Sequence, residues 1–187
     1  MIVPPQPINL RPGQFHAARA PEVIRTVLGS CVAVCLYDEP AGVGGMNHFM
    51  LPDRGHGDDQ MPARYGTHAM ELLINKIMGM GGQRCNLRAK AFGGADVLAM
   101  PRSGLTVGAG NTRFAIGFLE REGIRLVSSR LGGTDPLEVV FYAGSARTLV
   151  RAVGRRAMER VKSSDKKQLA LLASLPQEPS SDDVTLF

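Results

Sequence analysis

Two nearly uninterrupted apolar runs, VAVCLY (Val32 to Tyr37) and VGGMNHFML (Val43 to Leu51), flank the turn-forming stretch DEPAG. β-branched runs joined by Pro and Gly read as a β-hairpin. An apolar character that persists through both strands requires cover on both faces. The chain must therefore build a layer on each side of this hairpin, and the rest of the sequence supplies the material. Val23 to Val27 reads as a short strand ahead of it. After a polar stretch, PDRGHGDDQMPARYG, which reads as a surface loop, Met70, Leu73, Ile74, Ile77 and Met78 recur at helical spacing until Gly79. Cys85 to Ala91 alternates like a strand with one wet face. Asn111 is a candidate cap for a second helix carrying Phe114, Ala115, Phe118 and Leu119. Further strands are expected at 124–128, 138–142 and 146–153. The order β-β-β-α-β-α-β-β-β predicts an α+β fold: a largely antiparallel β-sheet or sandwich with two covering helices in a single domain.

The ends differ from the middle. Pro4, Pro5, Pro7 and Pro12 make residues 1–19 an extended N-terminal arm. Residues 20–155 form the predicted domain, and 156–187 combine a basic, helix-compatible piece with a tail of disorder-like composition. The net charge of +5 is local: residues 145–167 hold 8 basic and 2 acidic side chains, against 14 and 12 in residues 1–144. That basic segment has no aromatic residue to stack on bases, which argues against nucleic acid and for a solvated face or an acidic protein partner. No run reaches the roughly 20 apolar residues of a membrane span, and the N-terminus lacks the order of a secretion signal, so a cytoplasmic protein without membrane insertion is expected.

Chemistry in such a chain falls to its three cysteines and four histidines. His16, His56 and His68 sit in polar or helix-start contexts that suit solvated roles. His48 lies inside the apolar run GGMNHFML, where a buried imidazole needs partners. Cys31 opens the other hairpin strand just after Gly29 and Ser30. Centring the hairpin on DEPAG pairs residue i with about 80 minus i, which brings Cys31 near His48 but on opposite faces. A one-residue bulge at Gly44 or Gly45 would reunite them. A thiol beside an imidazole can serve as a nucleophile for acyl transfer, with backbone N–H groups around Gly29, Ser30 and Cys31 holding the oxyanion. A structural cysteine with a hydrogen-bonded core histidine is the other reading the residues allow. Metal binding by Cys31, Cys35 and His48 is disfavoured, because strand residues four apart are roughly 13 Å distant. Cys35 and Cys85 are then expected as small core hydrophobes.

The segments TVLGSCVAVCLYD, GGMNHFMLP, AKAFGGADV, VGAGN and GIRLVSSRLGG, in that order across residues 20–152, resemble the CheD family of bacterial chemoreceptor glutamine deamidases. The resemblance implies a protein-glutamine amidohydrolase acting on methyl-accepting chemotaxis receptors through a cysteine thioester, without a cofactor. Carried over by position, Cys31 is the nucleophile, His48 the base and acid, and Thr26 the residue that orients the histidine. It also implies an α+β fold shared with glutamine-deamidating toxin domains, and a CheC-type phosphatase as a partner. A non-catalytic chemotaxis regulator is the alternative of a different class, and a cysteine protease a third. The basic segment, with Arg155, Arg156 and Arg160, is a candidate surface for acidic receptor helices.

Overall fold

The computed structural model describes residues 6–51, 60–97 and 106–174. Among these residues nine strands and three α-helices run in the order β1 (Ile8–Asn9), β2 (Phe15–Arg19), β3 (Val23–Leu28), β4 (Val32–Asp38), β5 (Val43–Asn47), α1 (Gln60–Gly79), β6 (Arg88–Gly93), α2 (Val107–Arg121), β7 (Arg125–Leu131), β8 (Leu137–Tyr142), β9 (Thr148–Ala152) and α3 (Arg155–Ala173). The strands form two sheets, β1-β3-β8-β9 and β2-β5-β4-β6-β7. Pairing is antiparallel except at β1/β3 and β6/β7. The expected α+β architecture is present, as a sandwich of two mixed sheets.

The hairpin explains the layering. Every residue of β4 and β5 is buried, because each face of the central strands meets a different layer. Val32, Val34 and Leu36 pack outward on Met70, Leu73, Ile74 and Ile77 of α1 and on Ala115, Phe118 and Leu119 of α2. Cys31, Ala33, Cys35, Met46 and Met50 pack inward on Ile24, Leu28, Val139 and Phe141 of the other sheet. One buried hairpin thus serves two cores, and the site lies in the inner one.

Several local expectations change. The strand alternation expected from Cys85 starts later: residues Arg84–Asn86 form a 3₁₀ turn that leaves Cys85 exposed, so it is not a core residue. Helix α1 begins at Gln60, so the last part of the polar stretch is helical, while residues 52–59 lie outside the described residues. Met78, counted on the apolar stripe, is exposed. Thr106, not Asn111, caps α2, its hydroxyl accepting from the Ala109 N–H at 3.2 Å. Residues 8–9 and 15–19 of the N-terminal segment add an edge strand to each sheet.

Candidate functional site

The backbone of residues 29–31 is held from one side. The Gly29 carbonyl accepts from Ala95 N–H at 2.9 Å and the Cys31 carbonyl from Gly94 N–H at 2.7 Å. The Ser30 carbonyl accepts from Asn111 Nδ2 at 2.7 Å, while Asn111 Oδ1 accepts from Leu51 N–H. In a trans peptide the N–H points opposite to the carbonyl, so the N–H groups of Ser30 and Cys31 turn the other way, toward the site. Gly93 makes this approach possible: a Cβ there would lie 2.3 Å from the Cys31 carbonyl oxygen, and its φ is +100°.

His48 reaches the same face without a bulge. The hairpin register pairs Cys35 with Met46 and Asp38 with Val43, and Val32 bridges Phe49, so paired numbers sum to 81 rather than 80. The shift of one places His48 opposite Ala33 and on the face of Cys31, since side chains alternate along a strand. Gly44 and Gly45 host no bulge. They let the layers approach, as a Cβ on Gly44 would meet the Ala143 carbonyl, just after β8 of the opposite sheet, at 2.8 Å and one on Gly45 the Leu73 Cδ1 of α1 at 2.7 Å. The His48 backbone is fixed by Gly13 and Gln14, through bonds of 2.8 and 2.9 Å.

Thr26 faces His48 from the opposite sheet. Its neighbour Arg25 turns outward to pair with Glu138, and alternation sends Thr26 inward. Thr26 Oγ1 donates to the Leu10 carbonyl at 3.0 Å and lies 2.8 Å from His48 Nδ1. With its proton committed to Leu10, the hydroxyl accepts from Nδ1–H, which leaves the lone pair on Nε2. Nε2 is buried and has no hydrogen-bond partner among the described residues. Leaving such an atom unpaired costs on the order of 1–3 kcal/mol, the signature of a group kept for another use. Burial pushes the His48 pKa down to about 4, against a smaller opposing pull from the Leu10 carbonyl.

Asp165, from α3, is the member that the sequence did not disclose. Its Oδ2 accepts from both Ser30 N–H and Ser30 Oγ–H at 2.7 Å, and its Oδ1 lies 3.8 Å from Cys31 Sγ. Burial, then the Asp165 charge and its hydrogen bond, raise the Cys31 pKa well above that of a free thiol. Burial likewise raises the Asp165 pKa, partly offset by the Ser30 hydrogen bonds. The site is closed: Cys31, Thr26 and His48 are 0%, 2% and 3% exposed. An open groove of about 590 Å³ lined by Gly94, Thr112, Ile116 and Gly133 includes none of these three.

Cys35 is fully buried in β4, and burial raises its pKa. Among the described residues no group of three or more His, Cys, Asp or Glu is arranged to hold a metal ion, and no helix is long and apolar enough to cross a membrane. His16 pairs with Glu22 at 3.0 Å and His68 is exposed on α1, while His56 lies outside the described residues.

The arrangement is that of a two-sheet protein with an occluded cysteine, a hydroxyl-oriented histidine and a carboxylate laid against the cysteine. The family model described as CheD chemotactic sensory transduction matches residues 50–152. A protein of Halorhodospira halophila named "Probable chemoreceptor glutamine deamidase CheD" is 43% identical over 96% of this chain and 83% of its own length. One from Ruegeria sp., "Probable chemoreceptor glutamine deamidase CheD 1", is 44% identical over 96% of this chain and 95% of its own. The Caulobacter vibrioides protein of the former name is 46% identical over 78% of each. The chain belongs to the CheD family. The family-model match begins downstream of Cys31 and His48, so the geometry of those residues rests on the structure alone.

Proposed function

We propose that this chain is a protein-glutamine deamidase of chemoreceptors, acting through Cys31 as nucleophile and His48 as base and acid, with Thr26 as the positioning residue. The observation that carries the reading is the Thr26–His48 hydrogen bond, which fixes the tautomer with a free, buried Nε2 on the face that Cys31 occupies. The names of the relatives support the substrate class.

In this reading His48 Nε2 takes the Cys31 proton as sulfur adds to the carboxamide carbon of a glutamine side chain. The oxyanion forms beside the N–H groups of Ser30 and Cys31. His48 returns the proton to nitrogen, the C–N bond breaks, and ammonia leaves a thioester on Cys31. Water, deprotonated by the same nitrogen, then cleaves the C–S bond to give glutamate and the free thiol. Substrates are the cytoplasmic parts of chemotaxis receptors, which puts the protein in the cytoplasm, and binding to a CheC-type phosphatase belongs to the same proposal. Incubating the protein with a receptor cytoplasmic fragment and following ammonia release tests it. Release that stops in Cys31→Ser supports the assignment, and release that continues in that variant refutes it.

A further inference from the structure

Helix α3 presents one stripe to the sandwich. Val161 and Asp165 are buried, and Leu169 and Leu172 pack on the inter-sheet cluster, while Glu159, Arg160, Lys166 and Lys167 are exposed. A carboxylate in the middle of an apolar stripe weakens a helix that needs only to pack, since burying charge is costly. Here that carboxylate lands on the reacting groups. One oxygen takes two donors of Ser30 and the other faces Cys31 Sγ. This is the seat that a glutamine carboxamide, or the glutamate product, would need: a planar group with one heteroatom on the N–H and O–H of Ser30 beside the sulfur. The loop is also shaped for the helix, because a Cβ on Gly29 would lie 2.5 Å from both Asp165 Oδ2 and Val161 Cγ1.

We propose that α3 is an internal occupant of the substrate site, docking Asp165 where the substrate side chain binds, and that it must leave before a protein substrate can be attacked. The inference rests on Cys31 being the nucleophile. Docking and substrate binding exclude one another, so the apparent affinity for substrate falls with the fraction of molecules in which α3 is seated. The seated helix also keeps the sulfur protonated, through burial and the adjacent carboxylate. Departure removes both restraints and brings the thiol nearer the range where thiolate forms.

The test uses the full chain and its three cysteines, mapping iodoacetamide alkylation at each by peptide mass. Exposed Cys85 reports the unhindered rate and buried Cys35 reports unfolding. Asp165→Ala and Val161→Asp are each expected to speed alkylation of Cys31 by about tenfold or more while Cys35 stays protected. Wild-type Cys31 reacting as fast as Cys85, or no acceleration in either folded variant, overturns the proposal. If a variant also exposes Cys35, the wild type decides. Alkylated Cys31 must displace α3, so deuterium exchange at α3 amides should rise in the alkylated chain, and unchanged exchange overturns the proposal. Deamidation of a receptor fragment is followed in the same samples. Faster alkylation without glutamine conversion in any sample keeps the occupant and removes the deamidase reading. Conversion by wild type with no change in either rate in the variants does the reverse.

Discussion

Thr26 Oγ1 and His48 Nδ1, from opposite sheets of the sandwich, lie 2.8 Å apart. The contact ties the two layers together at one polar point and decides which imidazole nitrogen is free. Its consequences can be measured separately from those of the cysteine.

Thr26→Val keeps the shape and removes the acceptor for Nδ1–H. The histidine then loses its preferred tautomer, and kcat should fall on the order of tenfold to a hundredfold with KM little changed. Thr26→Ser restores the hydroxyl and should recover most of the rate. Steady-state kinetics on a receptor fragment separate this from a structural role, because a packing defect would not be rescued by the smaller hydroxyl residue.

The depressed His48 pKa predicts an acid-sensitive fold. A histidine at about 4 when folded and at its ordinary 6.5 when unfolded binds its proton preferentially in the unfolded chain between those values. Its stabilising contribution is complete above pH 6.5 and is lost as pH falls toward 4, a difference of about 3 kcal/mol. Urea unfolding across that window should show this loss in wild type, and His48→Gln should lose about that much less. Parallel curves for the two would contradict it.

Asn111 bonds both the Ser30 carbonyl and the Leu51 N–H from a fully buried position. Asn111→Ala orphans both groups and should destabilise the fold by about 2–4 kcal/mol. Because the Ser30–Cys31 peptide loses its anchor, kcat should also drop. Denaturant midpoints and turnover on the same preparation check the pair of effects.

Gly29→Ala places a methyl group against Asp165 and Val161. If α3 yields, Cys31 alkylation should accelerate about as much as in Asp165→Ala, with the thermal midpoint shifted by only a few degrees. Unchanged alkylation in a folded Gly29→Ala chain would show that the helix does not move.

The sandwich was legible because the hairpin runs are apolar on both faces and the helices repeat their apolar residues at helical spacing. Cys31 and His48 could be singled out for the same reason, since reactive groups in apolar strands stand out, whereas Thr26, an ordinary strand residue by composition, came only through the family resemblance. Register was not legible, since a turn of several residues can shift pairing by one without any change in composition, and that single step decides whether Cys31 and His48 share a face. Strand β1 is two residues long, too short for a periodic signal, and its value lies in the adjacent Leu10 carbonyl that receives Thr26. Asn111 resembled a helix cap because asparagine favours caps, yet the chain buries it to hold a loop 81 residues away. Asp165 lay in a segment dominated by basic charge, where an acidic residue reads as one more solvated group. Only the packing of α3 brings it to Ser30.

The most direct test of the central claim is the intact mass of a receptor cytoplasmic fragment after incubation with wild type and with Cys31→Ala. The account predicts a gain of roughly one dalton per converted glutamine with wild type and none with the variant. Equal gains with both proteins, or fragment cleavage in place of mass gain, would contradict it.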